Sequence, residues 1–90
     1  MAIGLIMDFE GGTLDQYDQV IEKMELGGKV PDGAHFHWVT QTDDGIRVVD
    51  VWEDPAKFQT FSDEKIGPMT AEVGLSAPSV TQYEVHNILD

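Results

Sequence analysis

The stretch Val48-Val49-Asp50-Val51-Trp52-Glu53-Asp54-Pro55 decides the reading of this chain, because a strand runs through it directly into a helix. Ile46 to Trp52 is rich in β-branched and apolar residues, as a strand requires. Asp54 supplies an N-cap and Pro55 suits the first helical position, so a helix is expected to begin at once. Phe58, Phe61, Ile66, Met69 and Val73 form the apolar stripe of that helix. Gly67-Pro68 is expected to break or bend it, since proline lacks the donor a helix interior needs, and Gly74 is its expected C-cap. Upstream, Thr42-Asp43-Asp44-Gly45 is a hairpin signal leading back into a second strand, His35 to Gln41.

Further out, Ile3 to Phe9 reads as a first strand closed by Glu10-Gly11-Gly12. Thr13 with Gln16 has the form of a capping box, and Leu14, Tyr17, Val20, Ile21 and Met24 recur at helical spacing until Gly27-Gly28. Ser79 to Leu89 is long enough for a closing strand. The order strand, helix, strand, strand, helix, strand predicts an α+β, ferredoxin-like βαββαβ fold: a four-stranded antiparallel sheet with two helices on one face. The strands are apolar on both sides. Ile3, Leu5 and Met7 point one way and Ile6 the other, while Val49 and Val51 oppose Ile46, Val48 and Trp52. Two helices cover only one face, so the other is expected to meet a second copy in a homodimer.

Composition narrows the function. Ninety residues make a single domain over residues 1–90, small enough that folding hides only about 60–65% of the unfolded surface. No cysteine is present, which removes disulfides, thiolate metal sites and cysteine nucleophiles together. The formal charge of −12 opposes contact with nucleic acid or anionic membranes. Met1 to Met7 lacks the basic n-region of a signal peptide, and no run approaches the roughly 20 apolar residues of a membrane span, so the protein is expected to be cytoplasmic.

The pattern Val48 to Pro55 running into a helix resembles the dimeric α+β barrel superfamily, nearest to its antibiotic-biosynthesis monooxygenase-like proteins. In length and topology the resemblance spans the whole chain. Ile3 to Phe9 and Phe61 to Met69 are similar to small stand-alone bacterial members. The resemblance implies pairing as a dimeric barrel around a pocket. Its known activities include cofactor-free oxygenation, heme degradation and polyketide cyclisation. Trp52 matches the strand tryptophan of the heme-degrading branch. That branch's heme-ligating histidine belongs on the second helix, however, and Asp54 to Gly74 contains none. Its first-strand polar residue is also missing from Gly4 to Met7, so no heme or other cofactor is expected.

The remaining chemistry centres on histidine. His35 and His37 share a strand face, but His86 belongs to the opposite sheet edge, roughly 14 Å away at normal strand spacing, so no metal site is expected. The hairpin register decides what His37 meets. A two-residue turn pairs Asp43 with Ile46 and puts His35, His37, Asp50 and Trp52 on one face. A three-residue loop flips the parity and sends His37 to the side of Val49 and Val51; the sequence leaves both open. In the first register His37 is a general base, Asp50 orients it, and Trp52 joins them as the catalytic set. Tyr17, Met24, Phe58, Phe61 and Met69 are the expected substrate-binding residues. The expected function is binding an apolar or aromatic small molecule, as a cofactor-free monooxygenase or cyclase acting on an aromatic or polyketide-like substrate. A non-catalytic ligand-binding or interaction protein is the alternative.

Overall fold

The computed structural model describes residues 1–89. Its elements follow the expected order: β1 (Ile3–Glu10), α1 (Leu14–Met24), β2 (Ala34–Gln41), β3 (Gly45–Trp52), α2 (Pro55–Phe61), a π turn (Ser62–Ile66), α3 (Gly67–Glu72) and β4 (Ser79–Glu84). The strands form one antiparallel sheet in the order β2-β3-β1-β4, the ferredoxin-like arrangement. Ile3, Leu5, Met7 and Phe9 of β1 and Ile46, Val48 and Trp52 of β3 are buried with Val20, Phe58 and Ile66 from the helices.

Local chemistry explains the element ends. The capping box at Thr13 is complete: the Gln16 N–H donates to Thr13 Oγ1, and Gln16 Oε1 accepts from the Thr13 N–H. Helix α1 stops at Met24, before the Gly27-Gly28 pair, because Glu25 already turns into the left-handed region at φ 54°. Asp54 caps α2 by accepting from the Lys57 N–H at 2.9 Å, and Pro55 follows in the first turn.

Gly67-Pro68, expected to break or bend the helix, interrupts its regular α geometry without ending it. The chain widens into the π turn just before the proline, with the Gly67 N–H donating to the Ser62 carbonyl. A wider turn accommodates the missing donor and the pyrrolidine ring without ending the helix. The Thr70 hydroxyl then donates to the Ile66 carbonyl at 2.7 Å, so the helix continues through α3.

Strand β4 is shorter than expected. Its last residue, Glu84, pairs with Ile3, the first residue of β1, so β4 ends where its partner begins. Val85 adds one bond from its N–H to the Ala2 carbonyl, and His86 and Asn87 lie beyond the strand.

The hairpin adopts neither expected register. Gln41 pairs with Ile46 and the Thr42 N–H donates to the Gly45 carbonyl at 2.8 Å, so the turn is tipped by Asp43-Asp44 rather than Asp44-Gly45. Side chains reinforce it: the Gly45 N–H donates to Thr42 Oγ1 at 3.1 Å, and the Gln41 amide donates to the Gly45 carbonyl at 2.7 Å. Only glycine fits at position 45, where a Cβ would lie 2.1 Å from the Phe9 carbonyl oxygen. The observed register differs from the two-residue-turn register by an even step, so the side-chain faces are those of that register. His37 stands opposite Asp50 rather than Trp52. His35 falls at a register shift between Ala34 and Phe36 and is exposed, so it does not join the group.

The face away from the helices carries two apolar rows. One runs Trp38, Val49, Ile6, Thr81; the other runs Phe36, Val51, Gly4, Tyr83. Trp38 is 50% exposed and Tyr83 59%. Asp8 and Arg47 form a bidentate pair at one end of this face, with contacts of 2.7 and 3.2 Å. The Arg47 guanidinium holds the Asp8 carboxyl below its ordinary range.

Candidate functional site

Between the sheet and the helices lies a cavity of about 300 Å³, within the size range of small-molecule sites. Its floor comes from β1 and β3, one wall from α1, and its far side from Phe61, Ile66 and Thr70. The connection between α1 and β2 completes the wall with Leu26, Gly28, Lys29, Val30 and Pro31. Gly27 and Gly28 both lie at positive φ there, a conformation that costs glycine little.

Four polar side chains meet along this cavity. The Asp50 carboxylate is only 5% exposed, and both its oxygens are engaged. Oδ1 accepts from His37 Nδ1 at 2.5 Å, and Oδ2 accepts from the Trp52 indole N–H at 3.2 Å. This pairing is what allows a carboxylate to remain inside an apolar core. Because Nδ1 carries the proton given to Asp50, Nε2 of the neutral imidazole is an acceptor. The Tyr17 hydroxyl donates to that Nε2, with the two ring planes only 10° apart. Burial raises the Tyr17 hydroxyl above its ordinary pKa of 10.0, and the charges of Asp50 and Asp18 push it the same way.

The expected residues divide between cavity and core. Tyr17, Met24, His37, Asp50, Trp52 and Phe61 line the cavity. Phe58 does not: it is 6% exposed and meets Trp52 edge-on, with ring centroids 5.6 Å apart. Met69 also packs behind the wall, against the core from α3. Their helical spacing puts both on the apolar stripe, yet the π turn rotates the second half of that stripe relative to the first. Sequence reasoning missed the mouth formed by Leu26 to Pro31 and the bond from Tyr17 to His37. The one signal for the mouth was apolar Leu26, Val30 and Pro31 within an otherwise glycine-rich connection. Among the described residues, no group of three His, Cys, Asp or Glu side chains has the spacing to hold a metal ion. Nor is any helix long and apolar enough to cross a membrane.

No family model and no curated protein matches the chain. Solved structures do. A candidate antibiotic biosynthesis monooxygenase from Chloroflexus aurantiacus superposes with a TM-score of 0.68 at 18% identity, over 100% of this chain and 98% of that one. SnoaB, a cofactor-independent oxygenase from Streptomyces nogalater, superposes with a TM-score of 0.64 at 15% identity, over 98% of this chain and 95% of that one. The chain has the fold of the antibiotic biosynthesis monooxygenase-like proteins. A dimeric ferredoxin-like protein of unknown function from Thermobifida fusca also shares it, with a TM-score of 0.66 at 16% identity over 94% of this chain and 92% of that one. At these identities the likeness is one of fold, and activity rests on the site itself.

Proposed function

We propose that this protein binds an apolar or aromatic small molecule between sheet and helices and performs acid–base chemistry on it, as a cofactor-free monooxygenase or cyclase. The observation that carries this reading is the Asp50–His37 pair, a buried carboxylate oriented onto an imidazole at the wall of an apolar cavity. His37 is the base of the site. Asp50 holds its tautomer and faces the imidazolium that forms. Trp52 and Phe61, whose ring centroids are 5.3 Å apart, offer aromatic surface to a planar ligand. Removing a proton from an activated carbon leaves an electron pair that either closes a ring or reduces O₂. In the second case the substrate CH₂ becomes a carbonyl and one water leaves. SnoaB, the fold neighbour that is a cofactor-independent oxygenase, supports the oxygenase form.

The working unit in this proposal is a homodimer joined through the outer sheet face. Its support is the pair of apolar rows bearing Phe36, Trp38 and Tyr83, together with the dimeric ferredoxin-like neighbour.

A second reading, a non-catalytic binding module, is favoured by one observation: both ring nitrogens of His37 are already engaged. Native mass spectrometry on protein isolated without refolding tests the shared part of both readings. The expected result is two chains plus a discrete small-molecule increment, and a clean monomer at micromolar concentration overturns the dimer. With the ligand identified, His37→Ala separates the two. An enzyme loses turnover with the dimer intact, whereas a binding module keeps its ligand with altered affinity.

A further inference from the structure

The proposed base cannot touch a ligand directly. His37 Nδ1 is bound to Asp50 Oδ1, and Nε2 is closed by the Tyr17 hydroxyl. The line of hydrogen bonds therefore runs from β3 through β2 and ends on α1, at the phenolic oxygen of a residue that itself lines the cavity. That oxygen donates its one proton to Nε2 and keeps a lone pair for a further partner. Of its neighbours, Trp52 is a donor only, and Asp50, 5% exposed, already spends one oxygen on His37 and the other on Trp52.

We infer that Tyr17, not His37, is the group that meets the bound molecule, and that it works as a two-way relay. The substrate's C–H or O–H bond breaks and its proton joins the Tyr17 oxygen. The original Tyr17 O–H bond breaks as that proton passes to His37 Nε2. The products are a substrate anion, a neutral Tyr17 and a His37 imidazolium facing Asp50. Two protons each move one step, a net transfer of one from substrate to His37; no electron is transferred, and no free phenolate forms on the way. Burial and the acidic neighbours keep Tyr17 protonated at neutral pH, as a relay needs. The ionisable groups around it are Asp18 on its own helix, His37 on β2 and Asp50 on β3, with Lys29 at the cavity mouth.

Two consequences follow from the position of that oxygen. The acidic hydrogen of the substrate points at the α1 wall rather than at the β2 edge. The substrate class is a planar, weakly acidic molecule, either a hydroxyaromatic or a ring with a CH₂ beside a carbonyl. Its acidity must be close enough to that of an imidazolium for His37 to keep the proton.

This inference rests on the acid–base reading above, and one experiment separates their failures. 4-Nitrophenol is added to the intact protein at neutral pH; absorbance reads its phenolate, and ¹⁵N NMR of His37 reads the imidazolium. The expected result for wild type is bound phenolate with a protonated His37. Tyr17→Phe should still bind the probe but lower its phenolate-to-phenol ratio by about tenfold or more, one pKa unit or beyond. Equal or greater ionisation in Tyr17→Phe overturns the relay while leaving His37 as the base, because removing the hydroxyl frees Nε2. Full ionisation in both Tyr17→Phe and His37→Gln overturns the acid–base reading with it. The same holds if wild type fails to bind or ionise the probe. In the ligand-free protein, the His37 Nε2 resonance should move on Tyr17→Phe as it loses a donor. An unmoved resonance overturns the bond on which the relay depends.

Discussion

Tyr17 also governs how the protein responds to alkali. Its folded-state pKa lies above 10.0, chiefly through burial, whereas in the unfolded chain it ionises at the ordinary value. The neutral hydroxyl's contribution to stability is therefore fully present below pH 10 and falls away as pH rises past it, because only the unfolded chain is then free to ionise. Urea unfolding across pH 8.5 to 11 should show a decline in wild type that is smaller in Tyr17→Phe; identical declines would mean Tyr17 is not buried as described. Neighbouring Asp50 shows how much of the site the sequence carried. Its pairing with His37 was not foreseen, since the expected turn set His37 opposite Trp52, and the grouping of His37, Asp50 and Trp52 was legible only as one of two open registers. What pairs with Nε2 was not, because Tyr17 reaches His37 from a helix 20 positions upstream. Helical spacing says only that Tyr17 belongs to an apolar stripe.

At the scale of elements, the capped ends were legible and the irregular middles were not. Thr13 with Gln16 and Asp54 with Pro55 act over three or four residues, which a sequence displays in full. The π turn depends on how Gly67-Pro68 is accommodated by carbonyls a turn earlier, so the sequence showed that the helix must break or bend but not the form this takes. That widened turn also redirected Met69 from cavity to core. Thr70 bridges the carbonyls of Ile66 and Gly67 through its hydroxyl. Thr70→Val keeps the shape and removes that one donor. It should cost about 1 kcal/mol in chemical unfolding, the usual worth of a hydrogen bond. Thr70→Ser should recover most of that loss. If Thr70→Val is as stable as wild type, the hydroxyl does not support the turn.

For the whole molecule, an apolar outer face and a charge of −12 pull in opposite directions. Trp38 and Tyr83 favour association, while two copies of the same acidic chain repel one another over the distances that salt screens. Dimer affinity measured by sedimentation should therefore tighten as ionic strength rises from about 0.02 to 0.15 M, where the Debye length shortens to about 8 Å. Trp38→Glu should give a monomer under both conditions, since it replaces a large exposed aromatic of the apolar face with a charge. A dimer that persists in Trp38→Glu would locate the interface elsewhere. Both faces of the sheet were legible from alternation in β1 and β3. The cavity mouth was not, because Leu26 to Pro31 has no period from which to read a direction.

The tight turn from Thr42 to Gly45 carries a consequence for how this gene tolerates change. Deleting one codon there is harmless to translation but out of frame for the sheet. If the turn kept its geometry and β2 slid by one residue against β3, Phe36 and Trp38 would turn inward and His37 would go to the solvent side. Deleting two codons would restore the inward histidine on a shorter hairpin. Loop length in descendants of this sequence is therefore expected to vary in steps of two while the cavity is in use. A single-residue change there marks a chain that has given up its site but kept its fold.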